Sequence, residues 1–547
     1  MTAHIGRALR TRRARRSLAG AAAALTLALL GTLAPTATAG AADTGPPGAG
    51  PPGAAPSGAE DGDPGPPTGS GPQEPLAERG TLSPGQRAAA AQAFPGPGAP
   101  APAGDYALAA GSDLSGRVAA LDAALPKQGV QDLLAQANRT LETGGSCPDP
   151  FGRGDPVSGT NPALKPPVAT VERYCFEQDD SVTTEWIPQA VTGVSDAQED
   201  EAWGAATRTV LTGWYDNSNP GRENGCTSGE NDACNEKGVR VTFIDPAARA
   251  YRHVLLVWPY YNSYDNISFD AVHASESPMQ NGIHAGGMVW YGNYLYVADT
   301  FNGIRVFDMR YIMDLNPDQD AAVDDRTPDG LRSNVRDNRQ VGRQSSVWYS
   351  YGYRYVMPQV ATWQLSSTQY NSGSSSACAD TGAPRISYLS LDRTGTDQLV
   401  AGEYCAPTSG LPSLGRTGSW PVAELERRSG PVAANTSYFL PVHQVQGVAR
   451  QDGTWYFNQS HRYSNGSVWR ARITGGRLTR TGGELRTAVG PEDLYAEHGR
   501  ATGRAPRLWS VSEHAENTAD ASCAASGNTP CGRVLYAHSL STLLAAP

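Results

Sequence analysis

Three consecutive short hydrophobic runs, separated by polar turn residues, lie between Gly282 and Met309 of this 547-residue chain. The runs are IHAGGMVW, YLYVADT and GIRVFDM, and Tyr-Gly-Asn and Phe-Asn-Gly separate them. Each run has the length of a strand, is rich in β-branched and aromatic residues, and is bounded by turn residues. The segment therefore predicts three β-strands, which make up most of one propeller blade.

The same triplet of strand-like runs recurs at five other places after Thr183. These triplets are QAVTGVSDA, RTVLTGWYD and GVRVTFIDP; SSVWYS, YRYVMPQ and ATWQLSS; ISYLSLDRTG, DQLVAGEYC and GSWPVAELE; HQVQGVARQDG, TWYFNQS and GSVWRARI; PEDLYAEHG, RLWSVSEH and RVLYAHSL. The segment at 282–309 is the second of the six, and YRHVLLVW adds an outer strand to the first. Repetition of one supersecondary unit is typical of radial repeat folds. The sequence thus predicts an all-β fold, a six-bladed β-propeller.

A ring of blades must be closed, and VATVERYCFEQ at 168–178 provides a strand for this purpose. Little sequence follows the sixth triplet, so we expect this earlier segment to supply the outer strand of the last blade. If it forms a blade of its own instead, the count becomes seven.

The run YLYVADTFNGIRVFD resembles the repeat unit of the LVIVD and NHL β-propeller groups. Blades of those groups combine a hydrophobic strand, an Ala-Asp turn, Asn-Gly and an Ile/Val-Phe-Asp strand. The groups include ligand-binding scaffolds as well as enzymes, so the resemblance implies a fold and no particular activity.

Residues 1–41 have the features of a secretory signal peptide. Six arginines precede an apolar run from Leu18 to Leu33, and Ala37-Thr38-Ala39 follows as a cleavage site. The apolar run is too short to span a bilayer comfortably. We expect a secreted, extracellular protein, and Arg15-Arg16-Ser17-Leu18 leaves both the general and the twin-arginine route open.

Residues 42–104 are dominated by Pro, Gly and Ala and predict a disordered linker. This composition resembles that of secreted actinobacterial proteins. In residues 105–146, VAALDAAL and VQDLLAQANRTL space their apolar residues at helical period, which predicts a short helical extension packed on the main domain. The propeller is expected to occupy 147–547.

The chain has 8 cysteines, and an even number in an exported protein indicates disulfides. Pairing each cysteine with its nearest neighbour in sequence predicts four bonds. These are Cys147 with Cys175, Cys226 with Cys234, Cys378 with Cys405, and Cys523 with Cys531. The second and fourth bonds would both lie between the second and third strands of a blade.

The formal net charge is -10, and loss of the arginine-rich leader leaves 38 basic and 54 acidic residues. An acidic surface repels phosphate backbones and anionic lipids. Nucleic acid and membrane surfaces are therefore not expected as partners, and we expect a monomer with no membrane span after leader removal.

Two rings of polar residues are predicted at one mouth of the central channel, because first strands begin and second strands end at the same face. The first ring is Gln189, His284, Gln344, Arg385, His443 and Glu492, and the second is Asp216, Asp299, Gln359, Glu403, Gln459 and Glu513. His284 and His443 would face each other and form a metal site with Gln189 and Glu492, or an acidic-sugar site with Arg385. The alternative is that both histidines bond channel waters and strand ends.

The carboxylates of the second ring could contain a glycosidase pair. An Asp that ends a strand also caps the following turn, and this alternative applies to Asp299. Glu513 is followed by His514 and Glu516, three titratable groups in four residues, which suggests a site because turn chemistry explains them poorly, and the alternative is a solvated loop.

Three functions remain open on the sequence alone. The first is binding of a carbohydrate or cell-envelope ligand at the channel mouth, supported by aromatic residues on the expected loops. The second is a polysaccharide lyase or glycoside hydrolase that uses His284, His443, Arg385 and Glu492. The third is a protein-interaction scaffold. No motif assigns a cofactor, and the sequence contains no GxSxG, HExxH, phosphate loop or EF-hand loop.

Overall fold

The computed structural model describes residues 95–144, 147–152, 167–217, 236–273, 283–317, 332–366, 378, 381–406, 414–516 and 531–547. The predicted signal peptide, most of the predicted linker, and Cys226, Cys234 and Cys523 lie outside the described residues. No helix among the described residues is both long and apolar enough to cross a membrane.

The segment before the propeller contains the two helices that the apolar spacing predicts. A short 3-10 turn, Ala103–Tyr106, comes first. It is followed by β1 (Leu108–Asp113), α1 (Ser115–Ala124), β2 (Lys127–Gln128), α2 (Val130–Ala135) and β3 (Arg139–Thr140). Helix α1 buries Val118 and Leu121, three residues apart on one face, so the helix packs onto the domain.

Blade 1 follows a strand, β4 (Thr170–Cys175), and a short helix, α3 (Gln178–Val182). Its four strands are β5 (Trp186–Gly193), β6 (Val210–Asp216), β7 (Val239–Asp245) and β8 (Ala250–Tyr261), with α4 (Val194–Ala197) after β5. All four are antiparallel in sequence order. An additional strand, β9 (Ile267–Ala271), pairs with residues 257–261 of β8, beyond the residues that pair with β7.

Blade 2 takes its outer strand from much later in the chain. Its inner strands are β10 (Met288–Tyr291), β11 (Tyr294–Asp299) and β12 (Gly303–Asp308). After the 3-10 turn Met309–Tyr311 come β13 (Ile312–Asp314), β14 (Val341–Gln344), β15 (Val347–Ser350) and β16 (Tyr355–Leu365). Strand β16 pairs with β12 and completes the blade.

Blades 3 and 4 match the fourth and fifth predicted triplets. Blade 3 contains β17 (Tyr388–Asp392), β18 (Gln398–Gly402), β19 (Arg416–Pro421) and β21 (Thr436–Phe439), with α5 (Val422–Glu426) and β20 (Pro431–Val432) between the last two. Blade 4 contains β22 (Val445–Gln451), β23 (Thr454–His461), β24 (Ser464–Thr474) and β25 (Arg477–Arg480), and β26 (Leu485–Val489) also pairs with β24.

Blade 5 is closed by the segment that the sequence assigns to this role. Its strands are β27 (Tyr495–Glu497), β28 (Arg507–Val511) and β29 (Val534–Ser539), followed by α6 (Leu540–Ala545). Strand β4 lies antiparallel to β29, with Cys175 opposite Val534. The predicted closure of the first part of the domain onto the last blade is confirmed.

The innermost strands form a ring. Strands β5, β10, β17, β22 and β27 each contact the next, and β27 contacts β5. Successive side chains of a strand point to opposite faces, so each blade packs on both neighbours. In β10, Val289 packs with Leu389 of blade 3, whereas Met288 packs with Leu211 of blade 1. The predicted all-β β-propeller class is confirmed, and the described residues form five blades.

The third predicted blade is wrong. Its second and third runs, YRYVMPQ and ATWQLSS, lie in the single strand β16, and its first run forms the separate hairpin β14–β15. Residues 356–358 of β16 pair in parallel with β8, and residues 359–364 pair with β12. A register shift at Val360 separates the two halves. One strand thus passes from the edge of blade 1 to that of blade 2, which explains why the count is five and not six.

Two of the predicted disulfides, Cys147–Cys175 and Cys378–Cys405, are present. Cys531 is also disulfide-bonded. Cys147–Cys175 anchors the closing strand β4 to the preceding segment.

Residues 95–104, which the composition assigns to the linker, contact the outer strands of blades 3 and 4. The Leu478 amide donates to Gly98, and Ala101 donates to Ser437. Ala99 is buried between them. Contact with the propeller therefore begins before residue 105.

Candidate functional site

The first strands begin, and the second strands end, at one face of the ring, as the predicted rings require. Backbone hydrogen bonds join these ends across the blades: Ile386 donates to Thr300, and Asp493 donates to Gln189. We call this face the mouth face. It carries the polar residues described below.

Two carboxyl groups of blade 5, those of Glu492 and Glu513, lie side by side on the mouth face. Glu492 is buried, and burial, the charge of Glu513 and a hydrogen bond between the two side chains raise the pKa of Glu492 well above its usual range. Gln446 of blade 4 donates to Oε1 of Glu492 at 2.9 Å. Gln189 of blade 1 donates to Oε2 of Glu513 at 3.0 Å. The pair therefore consists of a protonated Glu492 that shares its hydrogen with Glu513.

Asp493 lies at the centre of the ring, and the sequence-based rings did not include it. Its Oδ2 accepts hydrogen bonds from the amides of Val191 in blade 1 and Met288 in blade 2. Burial raises the pKa of Asp493 well above its usual range. Asp493 thus joins blades 5, 1 and 2 by hydrogen bonds. The sequence feature that could have pointed to Asp493 is its position directly after Glu492, which was assigned to the first ring.

A cavity of about 280 Å³ opens beside Glu513 on the mouth face. Its wall includes Tyr215, Tyr463, Glu513, His514 and Arg533. We call it the mouth pocket. Sequence analysis singled out Glu513 and His514 and noted Tyr215 among loop aromatics, but it missed Tyr463 and Arg533.

Two tyrosine rings of the mouth pocket are each held by a histidine. Tyr215 contacts His284 with ring centres 4.4 Å apart, and Tyr463 contacts His514 at 4.6 Å. The planes are inclined by 30° and 31°, close to parallel packing. Each tyrosine therefore presents a fixed apolar surface.

His284 is exposed and contacts Tyr215, but among the described residues no protein group forms a hydrogen bond with its ring. Desolvation by the surrounding protein lowers its pKa, and the charge of Glu513 opposes this effect. At neutral pH His284 thus carries an uncharged ring that can both donate and accept a hydrogen bond.

Arg533 sits at the base of the mouth pocket. Its Nε donates to the backbone oxygen of Glu513 at 2.8 Å, and Nη1 donates to the backbone oxygens of Asp180 and Thr183. These bonds fix the turn that carries Glu513. Arg533 lies two residues after Cys531 and directly before the third strand of blade 5. In other blades, too, an arginine lies just before or within the third strand.

Three carboxylates of the predicted second ring have structural partners. Asp299 pairs with Arg305 at 2.7 Å. Asp216 accepts from the Lys237 amide at 2.6 Å. Glu403 pairs with Arg416. The Asn302 side chain in the following turn also donates to Asp299, in line with the structural alternative given for this residue.

Gln344 and Gln359 were misplaced by the prediction of a third blade. Gln344 lies in the β14–β15 hairpin and donates to Val341 of its own strand. Gln359 lies in the middle of the outer strand β16 and is fully buried near Arg305. Neither belongs to the channel rings, because the run that aligned them is one edge strand.

Arg385 and His443 open blades 3 and 4 on the mouth face, but they have different surroundings from His284. The guanidinium of Arg385 lies 5.7 Å from the Phe301 ring, and desolvation lowers its pKa. The Gln459 side chain donates to the His443 backbone oxygen at 2.9 Å. His284 and His443 are two blades apart in a ring of five, so they are not opposite each other as six blades would require.

The predicted metal ligands are not gathered into one group. Among the described residues, the group of three potential ligands close enough to share an ion is Cys378, Glu403 and Cys405. The two sulfurs are joined in a disulfide, and Glu403 is paired with Arg416. This group therefore does not fit a metal ion.

No family model and no curated protein matches the sequence. The resemblance to LVIVD and NHL repeats is therefore not supported by a family match. Solved structures with some similarity include a tail fiber of a Staphylococcus aureus phage, at 8% identity over 65% of this chain, with a TM-score of 0.27. This chain covers 50% of that tail fiber.

Two further similar structures are known with bound sugars. A GH43_1 enzyme from Xanthomonas citri, complexed with xylotriose, has 11% identity over 65% of this chain and 88% of its own, with a TM-score of 0.29. A mutant of the Aleuria aurantia lectin, in complex with alpha-methyl-L-fucoside, has 9% identity over 59% and 71%, with a TM-score of 0.22. At such TM-scores the similarities say nothing about the activity of this chain.

Proposed function

We propose that the protein binds a carbohydrate in the mouth pocket. This proposal rests on one observation: the cavity is lined by two tyrosines, each packed against a histidine ring, and by the carboxylate of Glu513. Sugars present apolar ring faces and outward hydroxyl groups, so they are held by aromatic surfaces together with hydrogen-bond acceptors.

Each group has a defined part in this proposal. A sugar ring would stack on Tyr215 or Tyr463, and its hydroxyl groups would donate to Glu513. Glu492 and Gln189 hold the Glu513 side chain by hydrogen bonds, so its position is fixed before the ligand arrives. His284, uncharged and exposed, would accept or donate a further hydrogen bond.

A second candidate is cleavage of an acidic glycan by elimination. The observation that favours it is the neutral, exposed His284 near a pocket that Arg533 lines. His284 would accept the sugar C5 proton, the electron pair of the C5–H bond would form a C4–C5 double bond, and the bond between C4 and the glycosidic oxygen would break. This oxygen would leave as a hydroxyl group after it takes a proton from water. Glycoside hydrolysis by Glu492 and Glu513 is less well supported, because a hydrogen-bonded pair is closer than the about 5 to 9 Å separation of hydrolase carboxyls.

Binding is tested by titrating the purified protein with oligosaccharides of N-acetylglucosamine, glucose and xylose and following heat release. Glu513→Gln and Tyr215→Ala should weaken binding, whereas Tyr264→Ala, which changes an exposed tyrosine at the turn between β8 and β9, should not. Absence of binding across the panel would remove the proposal. Ultraviolet absorbance of products from uronate-containing polysaccharides tests the second candidate.

We also propose that the protein is exported and works outside the cell. The basic and apolar leader and the disulfides of the propeller support this. Mass spectrometry of protein from the culture medium should find a new N-terminus shortly after Ala39. An uncleaved N-terminus in the cytosol would contradict it.

A further inference from the structure

The five junctions between neighbouring blades have a common construction on the mouth face. At each junction, a residue that ends the second strand of one blade, or lies in the following turn, contacts a residue of the next blade. Four of these contacts use an aromatic side chain. These are Tyr215 with His284, Phe301 with Arg385, Tyr404 with Gln444, and Tyr463 with His514.

The junction between blades 5 and 1 differs from the other four. Its contact is between Glu513 and Gln189, 3.0 Å apart, without an aromatic ring. The described mouth face thus presents one carboxylate position and four aromatic positions around the channel. Two of the aromatic residues, Tyr215 and Tyr463, line the mouth pocket with Glu513, and the other two lie beyond it.

Phe301 and Tyr404 are accessible to a ligand. Phe301 has 38% of its surface exposed although it is a large apolar side chain, and Tyr404 is partly exposed. Gln444 of blade 4 donates to the Tyr404 hydroxyl, so Tyr404 lies at a blade junction of the mouth face. The aromatic positions therefore continue from the mouth pocket around the face.

We infer that the ligand is an oligosaccharide of several units, whose successive sugars contact different junctions. This inference rests on the proposed carbohydrate function and adds the size of the ligand to it. Because the four aromatic residues belong to four blades, and only Tyr215 and Tyr463 of them line the mouth pocket, one sugar ring in this pocket would not reach Phe301 or Tyr404. A chain that enters at Glu513 and extends past Tyr404 or Phe301 uses them as further stacking surfaces.

The test compares ligand lengths. Isothermal titration with oligomers of N-acetylglucosamine, glucose and xylose, from one to six units, should show affinity that rises with length. Phe301→Ala and Tyr404→Ala should each weaken binding of six-unit ligands about two- to tenfold and leave single sugars unchanged. Phe301→Tyr should restore binding, and Tyr264→Ala is the control for loss of an exposed ring elsewhere. Equal melting temperatures of all variants show that folding is intact.

The possible failures can be told apart. If one-unit and six-unit ligands bind equally well and Glu513→Gln abolishes both, the inference is wrong and the proposed function stands. If six-unit binding is unaffected in both Phe301→Ala and Tyr404→Ala, the additional stacking surfaces do not exist. If no ligand of any length binds, both the function and the inference are wrong.

Discussion

Glu403 of blade 3 and Glu513 of blade 5 follow the second strand of their blades at equivalent places, yet their surroundings differ completely. Glu403 is buried and forms two hydrogen bonds, of 2.9 and 3.0 Å, with Arg416 from the third strand. Among the described residues, the carboxylate of Glu513 contacts Gln189, His514 and the protonated Glu492, and it lines a cavity. One position therefore serves the fold in blade 3 and is available to a ligand in blade 5.

The comparison shows why a ring of equivalent polar residues is a weak guide to a binding site. Repetition places acidic residues on the same face of blades 1, 2, 3 and 5, and in blades 2 and 3 an arginine of the third strand neutralises the carboxylate. The arginine of blade 3 reaches the carboxylate, whereas that of blade 5 donates to the backbone oxygen of Glu513. A candidate binding site is therefore recognised where no arginine pairs with the carboxylate, as at Glu513 among the described residues.

The largest expected effect is on the blade 3 side of the comparison. Arg416→Met would leave Glu403 and Asp105 without their buried partner and should lower the free energy of unfolding by about 3 to 5 kcal/mol. Urea unfolding measures this change. Arg427→Met removes an exposed arginine paired with Glu424 and should change the same quantity by less than about 1 kcal/mol. Equal effects of the two substitutions would show that the Glu403 pair is not structural.

Glu513→Gln tests the blade 5 side. Stability should change by less than about 1 kcal/mol, since no arginine pair is broken and the glutamine amide oxygen can still accept the hydrogen bonds of Glu492 and Gln189. Affinity for a bound oligosaccharide should fall by about 1.5 to 3 kcal/mol, the contribution of hydrogen bonds to a charged group. Thermal unfolding and calorimetric titration give the two values. A large stability loss with unchanged affinity would reverse the roles given to the two glutamates.

Glu492→Gln tests the protonation of the carboxyl pair. The pKa of Glu492 is raised in the folded protein, so the stability that its proton contributes is complete below the unfolded pKa of about 4.3 and is lost as pH rises through the folded-state pKa. Glutamine cannot lose this proton. The variant should therefore gain stability relative to the wild type between pH 4 and pH 8, by more than about 0.5 kcal/mol, in urea unfolding at both pH values.

Asp493 also has a raised pKa, so part of the wild-type pH dependence should persist in Glu492→Gln. An identical dependence in variant and wild type would mean that Glu492 is ionised in the folded protein.

His284→Ala gives the smallest expected change in stability, less than about 0.5 kcal/mol, because the side chain is exposed. Its effect should appear in ligand affinity at neutral pH, where the ring is uncharged. His443→Ala is the matched control from blade 4 and should leave affinity unchanged. If both variants lose affinity equally, the site extends to blade 4 at His443, as the sequence-based ring proposed.

Local patterns predicted most of the strands but could not assign all of them to blades. The strands β10 to β12 and β22 to β24 are visible in the sequence as apolar and aromatic runs bounded by turn residues, because both faces of each strand pack on neighbours. Strand β16 was divided in two because Pro358 and Gln359 resemble a strand end. In the fold, the residues around Pro358 pair with blade 1 and those after it with blade 2, and only the tertiary arrangement determines this.

The candidate site was predicted in part for the same reason. Glu492, Glu513, His514, His284 and Gln189 were placed on the correct face because strand order determines it. Tyr463 lies in a tight turn and Arg533 follows a cysteine, so neither carries a local signal of chemistry. Their part in the mouth pocket depends on contacts between blades 4, 5 and 1.

The pairing of β4 with β29 also determines the order in which the protein can fold as it is made. Residues 170–175 leave the ribosome before the other blade strands, while their partner strand at 534–539 follows all of them. Contacts so distant in sequence form slowly, and until then one strand edge of blade 5 stays uncovered. Protection of this edge from other chains therefore requires that all five blades have been synthesised.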